Sequence, residues 1–329
     1  MTSELIDSFG RVHKDLRVSL TDKCNLRCTY CMPAEGVEWL PSQHILNTNE
    51  LNKLIKILCD LGITEIRLTG GEPLLRPDIL EIIENISKIE SKPEISLTTN
   101  GIRLAPIAQQ LFDAGLKRIN ISLDTLQADR FKLLSRRDGL NDVLKGIEAS
   151  INAGLNPIKI NSVLMPGIND DEAVELVHWA MGLNLQLRFI EQMPLDAQQS
   201  WSRNSMISAN SIKEKLSEKF ELKKLGDRGS DPAELFEIVG TGQKVGIIAS
   251  VTKPFCSSCD RLRLTADGQL RNCLFSLEES DLRTSLRQNR SEEDLKLQIK
   301  ACVKGKKAGH GIGEPTFVQP PRPMSAIGG

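Results

Sequence analysis

An incomplete α/β barrel with a polar, ligand-holding lumen is the fold class predicted by this sequence of 329 residues. Two observations predict it. Short β-like runs alternate with longer helical stretches as far as residue 190, and five of those runs are apolar only at every second position. A third observation, the change of pattern after residue 195, predicts a smaller α+β C-terminal domain that closes the cavity. Strand–helix alternation makes successive strands parallel, because each helix returns the chain to the end of the sheet where it began.

The β-like runs cover residues 16–20, 65–69, 94–99, 118–123, 157–164 and 185–190, and helical patterns cover 49–61, 77–89 and 170–181. Pro77 is expected in the first turn of its helix, where the amide it lacks would be unpaired anyway. Within the strands, Ile66 and Leu68 oppose Arg67 and Thr69, and Ile95 and Leu97 oppose Ser96 and Thr98. Ile119, Ile121 and Leu123 oppose Asn120, Ser122 and Asp124; Ile158 and Ile160 oppose Lys159 and Asn161; Leu187 and Phe189 oppose Arg188. Parallel strands covered on both faces read as unbroken apolar runs, and filled barrels pack branched aliphatics inside. A polar face on five successive strands therefore points to a lumen that holds a ligand. An antiparallel sheet with one wet face would alternate in the same way, but the intervening helices count against it.

Residues 196–208 read as a polar connector, followed by a helix at 210–220 and then short strands and turns. Helical stretches at about 278–287 and 291–303 precede a Gly- and Pro-rich tail. The division expected is 1–205 for the barrel and 206–329 for the second domain.

With 40% hydrophobic and 26% charged residues and a net charge of −1, the composition is that of a globular chain with a large core. The balance argues against a general nucleic-acid or membrane-surface binder. Residues 1–15 lack the apolar core of a secretory signal, and no apolar run approaches the about 20 residues that span a bilayer. The expected location is cytoplasmic, where thiols stay reduced. Of eight cysteines, six form two tight groups, while Cys59 and Cys302 sit in helix-like segments and read as buried, inert thiols.

The first group, Cys24, Cys28 and Cys31, follows the first strand with the spacing C-x3-C-x2-C. Structural zinc closes its tetrahedron with four protein ligands. A four-iron, four-sulfur cluster on three cysteines instead keeps one iron open to an outside molecule; zinc is the alternative. Tyr30, between two of these ligands, is placed either to cover a bound ligand or to pack beside the cluster. Gly70-Gly71-Glu72-Pro73 ends the second strand. Its glycines permit close backbone approach to a ligand, and the residue before proline is biased to an extended conformation.

The cysteine triad followed by a strand and Gly-Gly-Glu-Pro resembles the radical S-adenosylmethionine (SAM) superfamily. The resemblance implies a TIM-like partial (β/α)6 barrel with a 4Fe-4S cluster at its mouth. It also implies that SAM chelates the open iron and is cleaved by one electron to methionine and a 5′-deoxyadenosyl radical.

A second triad, Cys256, Cys259 and Cys273, again lacks a fourth thiolate, and a zinc ribbon completed by His310 is its alternative reading. With this triad the chain resembles the GTP 3′,8-cyclase family of molybdenum-cofactor biosynthesis over essentially its whole length, down to Gly328 and Gly329. One departure is minor: Asp260 stands where many relatives have asparagine. The resemblance implies a second 4Fe-4S cluster on this triad, its open iron contacting guanine. It implies GTP contacts from Arg17, Arg67, Thr98, Lys159, Arg261 and Arg263, and SAM contacts from Tyr30, Gly71, Ser122 and Met193. It also implies that the diglycine end reaches into the active site.

The residues support part of this independently. There is no G-x4-G-K-S/T phosphate loop, and the segment 240–244 has the wrong spacing and reads as a turn. Phosphates therefore fall to side chains, for which the planar fork of arginine is suited. Arg261 and Arg263, two apart on a β-like run, share one face. Arg188 also points inward and is open to either ligand, whereas Met193 alone would read as core filler.

The implied reaction removes hydrogen from ribose C3′ with the adenosyl radical and joins C3′ to guanine C8. One electron and a proton then complete 3′,8-cyclo-7,8-dihydro-GTP. Iron–sulfur potentials span roughly −700 to +450 mV, and sulfonium cleavage needs the low end, beyond glutathione at about −220 to −320 mV. A flavodoxin- or ferredoxin-type donor is therefore expected, with cyclic pyranopterin monophosphate synthase downstream; a homodimer is left open. The rivals are a radical peptide-modifying enzyme, which generally carries more C-terminal cysteines, and a non-catalytic iron–sulfur or zinc regulator, which the strand alternation and Gly-Gly-Glu-Pro count against.

Overall fold

The computed structural model describes residues 4–196 and 198–328. Six parallel strands form the expected barrel wall in sequence order: β1 (Asp15–Ser19), β2 (Glu65–Thr69), β3 (Glu94–Thr99), β4 (Arg118–Ser122), β5 (Ile158–Val163) and β6 (Gln186–Ile190). The helices between them are α1 (Thr48–Asp60), α2 (Ile79–Ser87), α3 (Ala108–Asp113), α4 (Ala128–Ser135), α5 (Leu140–Asn152) and α6 (Ala173–Gly182). After α7 (Ala209–Ser217) come β7 (Leu222–Lys224), β8 (Glu234–Ile238), β9 (Lys244–Ile248), β10 (Arg261–Leu264), β11 (Gln269–Arg271) and β12 (Ser280–Asp281). Helices α8 (Leu282–Arg287), α9 (Glu292–Lys304) and α10 (Met324–Ile327) complete the chain.

The C-terminal strands do not form a sheet of their own. Strand β9 pairs in parallel with β6, and β10 pairs in parallel with β1, so the barrel wall is extended at both edges. Antiparallel β8–β7 and β11–β12 then finish the two ends. Covering both edges in this way leaves, among the described residues, no long unpaired strand flanking the lumen.

The alternation divides the wall as expected. Leu16, Val18, Ile66, Leu68, Leu97, Ile119, Ile121, Ile160, Leu187 and Phe189 are buried in one apolar cluster with Leu54, Ile55 and Leu58 of α1 and Ile82, Ile83 and Ile86 of α2. The opposite face carries the polar residues toward the lumen. Helix starts follow capping chemistry: Asn47 accepts from the Glu50 amide while the Glu50 carboxylate accepts from the Asn47 amide.

Some boundaries differ from the expected ones. Pro77 lies outside α2, which begins at Ile79, because Asp78 is held by Arg76 at 2.8 Å and by the Thr48 hydroxyl in a turn before the helix. Helix α6 starts at Ala173, since Asn169 and Asp170 are engaged in turn hydrogen bonds to the Met165 and Gly167 amides. In the stretch 278–287, Ser280–Asp281 pairs as a strand and only Leu282–Arg287 is helical. Residues 239–243 form the turn of the β8–β9 hairpin, as expected for the spacing of their glycines.

Candidate functional site

The strand ends and the loops after them enclose a cavity of about 310 Å³. Cys24, Cys28 and Cys31 lie on its wall, as do Arg17, Arg67, Thr98, Ser122, Arg188, Arg261 and Arg263. Tyr30, Gly71 and Met193 are there too, so every expected GTP or SAM contact except Lys159 faces one space. Lys159 lies one inward position below Asn161 on β5, in register with Asn120 and Gln186.

The cysteine loop is built from the backbone. It leaves β1 and passes directly over Gly70 and Gly71. A Cβ on Gly71 would stand 2.3 Å from the Lys23 carbonyl oxygen, and one on Gly70 would stand 2.5 Å from that of Thr21. Without those carbons, the Gly71 and Glu72 amides donate to the Thr21 and Lys23 carbonyls at 2.7 Å. The expected close approach of the glycines is thus an approach to the ligand-bearing loop. Glu72 is buried and accepts from the Thr99 hydroxyl and the Asn100 amide at 2.7 Å and from the Leu74 amide at 3.0 Å, tying the loop to β3. Beyond it, Arg27 and Thr29 amides donate to Ser135 and Leu134 carbonyls, and Arg136 reaches the Met32 carbonyl at 2.9 Å.

Burial pushes the thiols of this triad up: Cys31 to about 12, Cys24 with Glu72 adding to the effect, and Cys28 with Cys31 and Asp124 adding to it. The Leu26 amide lies 3.4 Å from Cys24 Sγ and the Asn100 side-chain amide 3.9 Å from it. Thiols this reluctant to ionise alone become ligands when a cation rewards the charged form. Three of them on one wall of a cavity suit a cluster that takes three cysteines. Among the described residues, no group of three His, Cys, Asp or Glu is placed to hold a metal ion. Tyr30 donates to Asp124 at 2.6 Å, and burial raises the Asp124 carboxyl to about 6.

The second triad is assembled differently. Cys256 and Cys259 flank a short turn before β10, and Cys273 follows β11. Cys259 and Cys273 each press on the Cys256 charge, so the three thiols share one neighbourhood. Phe255, Arg261 and Leu274 beside them line the main cavity, while Cys273 faces a separate cavity of about 280 Å³. His310 is not free to complete a zinc ribbon: its Nε2 donates to the Ser250 carbonyl at 3.0 Å and its Nδ1 accepts from the Ile312 amide at 3.0 Å. Burial opposes ionisation of Cys259, yet Arg261 and Lys306 hold its pKa below the ordinary thiol value. Cys59 is buried as expected, whereas Cys302 is half-buried and donates to the Leu270 carbonyl, its own carbonyl accepting from the side chain of Asn272 next to Cys273.

A row of cations lines the main cavity. Arg17 on β1 is in register with Arg67 on β2 and with Arg263 on β10, so three adjacent strands present guanidiniums at one level. Burial first, then repulsion from Arg263 and Arg67, pulls Arg17 well below its ordinary pKa. Arg263 and Arg188 are each brought down to about 10, chiefly by burial. The Nε atoms of Arg17, Arg188 and Arg261 are buried without a hydrogen-bond partner among the described residues. Gly246 on β9 leaves room for Arg188, whose Cγ would lie 3.0 Å from a Cβ there. The chain end enters the same space: Arg263 donates to the Gly328 carbonyl, and Gly328, at φ +86°, packs against Ser19 and Thr69. Gly329 lies outside the described residues.

Several residues of this neighbourhood were not foreseen. Asn100 and Asp124 carry no motif signal of their own, although Asp124 falls on the polar face of the alternation. Arg11 and buried Lys306 come from segments remote in sequence. Arg11 donates to the Cys256 carbonyl at 2.6 Å and to those of Lys307 and Ala308 at 2.7 and 3.2 Å.

Comparison with known proteins agrees with this geometry. Residues 18–180 match the Radical SAM superfamily and residues 185–312 match Molybdenum Cofactor Synthesis C. A protein of Streptomyces coelicolor named GTP 3′,8-cyclase is 56% identical over 328 residues, covering 99% of this chain and 96% of that one. The protein of the same name from Mycolicibacterium smegmatis is 52% identical, with coverage of 99% and 92%. Among solved structures, native anSMEcpe with bound AdoMet aligns at TM-score 0.61 over 91% of this chain and 82% of its own, at 16% identity. Streptococcus suis SuiB bound to precursor peptide SuiA aligns at 0.60 over 93% and 68%, at 13% identity, which shows a shared fold. Among the described residues no helix is long and apolar enough to cross a membrane. Full-length identity above one half, together with a cysteine triad folded over Gly-Gly-Glu-Pro at the mouth of a partial barrel, makes this chain a member of the GTP 3′,8-cyclase family of radical SAM enzymes.

Proposed function

We propose that the cavity binds GTP between two 4Fe-4S clusters and holds ribose C3′ and guanine C8 for bond formation, in the first step of molybdenum-cofactor biosynthesis. The observation that carries this reading is the registered row Arg263–Arg17–Arg67. Three guanidiniums side by side, Arg263 buried and Arg17 and Arg67 half-buried, repel one another, and a polyanion turns that repulsion into attraction. Each can offer paired, charge-assisted donors to phosphate oxygens. Arg261, Thr98 and Lys159 extend the set around the lumen, and Arg188 is available to either ligand. The chain has no phosphate loop, so these side chains carry the whole charge of the substrate.

Tyr30, Gly71, Ser122 and Met193 are the SAM contacts in this reading, supported by their position around the first triad's cavity. Bound to a cluster on that triad, SAM would supply a carbon radical able to take hydrogen from ribose C3′. The protein's own part is placement. Arginines fix the triphosphate, the lumen residues fix the ribose, and enclosure keeps the reactive species from other targets. The Gly328 carbonyl on Arg263 supports a role for the diglycine tail in setting that arginine's direction.

Residues 206–329 are read as the unit that closes the barrel and carries the second cluster on Cys256, Cys259 and Cys273. Its strands β9 and β10 flank the lumen, which supports that role. The low-potential donor is of the flavodoxin or ferredoxin type, and the product passes to cyclic pyranopterin monophosphate synthase. Oxygen-free incubation with GTP, SAM and dithionite tests the reading. It predicts 5′-deoxyadenosine and a cyclised nucleotide in equal amounts. SAM cleavage that leaves GTP intact would overturn it.

A further inference from the structure

We propose that Lys306 raises the reduction potential of the second cluster and makes it the easier of the two clusters to reduce; the inference rests on the reading that Cys256, Cys259 and Cys273 hold a cluster. Lys306 follows α9 and is 4% exposed. Its Nζ donates to the Arg261 carbonyl at 2.8 Å and to Cys259 Sγ at 3.6 Å. A buried ammonium ordinarily needs a carboxylate to offset lost hydration. Here the groups that answer its charge are the sulfurs of Cys259 and Cys273.

The placement is held from outside. Arg11 binds the carbonyls of Cys256, Lys307 and Ala308 together, so the turn after α9 cannot drift from the cysteine turn without breaking those bonds. Arg11 is itself fixed by Asp7, with Nε to Oδ2 at 2.5 Å. Three cations therefore act on the second triad, Arg11, Arg261 and Lys306, and Lys306 donates directly to a ligand sulfur.

The first triad has the opposite surroundings. Among charged side chains, Glu72 and Arg27 act on Cys24 and Asp124 acts on Cys28, while the arginines of the cavity wall stand apart from these sulfurs' hydrogen bonds. Its donors to Cys24 Sγ, the Leu26 and Asn100 amides, are neutral. Reduction adds one electron to a cluster, taken from the low-potential donor, and needs no proton. Nearby positive charge and N–H···S donation stabilise that extra negative charge, and nearby carboxylates destabilise it. The second cluster should then fill first, leaving the first as the stronger reductant, which suits sulfonium cleavage.

The test is a redox titration of the reconstituted, oxygen-free enzyme followed by electron paramagnetic resonance, with iron counted in each sample. A parallel set in which Cys24, Cys28 and Cys31 are replaced by alanine isolates the second cluster. Lys306→Met should lower the reduced-to-oxidised ratio of that cluster about tenfold at fixed poise, ~59 mV for a one-electron couple. Lys306→Gln should do the same while keeping an N–H donor, and Lys306→Arg should restore the wild-type value. Unchanged potentials in Met and Gln variants that keep their iron would overturn the inference and leave the two-cluster reading standing. Loss of that iron from both variants would also overturn it, assigning Lys306 to assembly. Absence of iron from the second triad in the otherwise wild-type protein would instead sink the two-cluster reading itself.

Discussion

The two cysteine triads present the same number of thiols but are built by opposite means. The first is shaped by what is missing: Gly70 and Gly71 lack the carbons that would collide with the loop, and backbone hydrogen bonds do the rest. The second is shaped by long side chains, with Arg11 and Lys306 arriving from near the two ends of the chain to hold turns that no local motif would bring together. A site made by backbone close approach leaves a motif in the sequence. The second site shows its cysteines in the sequence but not the distant cations that hold them.

The largest effects should come from separating the triads. Replacing Cys28 by alanine should bring 5′-deoxyadenosine formation to background. Replacing Cys259 should preserve SAM cleavage while removing the cyclised nucleotide, read by chromatography of both products. Equal loss of both activities in the two variants would break the contrast.

Gly71→Ala sharpens the same comparison through structure. Its methyl group would overlap the Lys23 carbonyl, a backbone contact that no side-chain rotation relieves. Iron bound by the first triad should be lost and that of the second retained, so the metal content falls by about half when each triad carries a four-iron cluster. Full iron content in this variant would show that the loop tolerates a shift.

The arginine row shares the main cavity with the first triad, and its loss should have a smaller effect. Removing a partner of charge-assisted hydrogen bonds costs about 1.5–3 kcal/mol, so Arg17→Ala should weaken GTP binding about 10- to 150-fold, measured calorimetrically. Arg17→Lys should recover only part, since it restores charge without the fork.

The smallest effect is a pH dependence. Burial, then Arg188, brings Lys159 down to about 8. The ammonium is present below that value and lost above it, so anion binding should weaken as pH rises through 8. The fall is at most about tenfold per pH unit. In Lys159→Gln the affinity should be lower at pH 7 and lack this step.

Much of the wall was legible because alternation is a local property: Arg67, Thr98, Ser122 and Arg188 face the lumen for the reason that Ile66, Leu97, Ile121 and Leu187 face the helices. Strands β9 and β10 were not recognised as parts of that wall. They are five and four residues long, and their partners, β6 and β1, lie far away in sequence, so pairing is decided by tertiary contact. Lys159 has the right alternation but lies below the cavity, since register sets height and periodicity sets only the face. Lys306 sits in the stretch Lys304-Gly305-Lys306-Lys307, whose composition reads as a solvated surface, and only the folded chain singles it out as buried.

The central claim is that this cavity brings ribose C3′ of GTP to the radical generated at the first triad. GTP carrying deuterium at C3′, incubated without oxygen with SAM and dithionite, tests that placement atom by atom. The account predicts one deuterium in the recovered 5′-deoxyadenosine and a cyclised nucleotide that has lost it. Deuterium left on the nucleotide while SAM is consumed would contradict it.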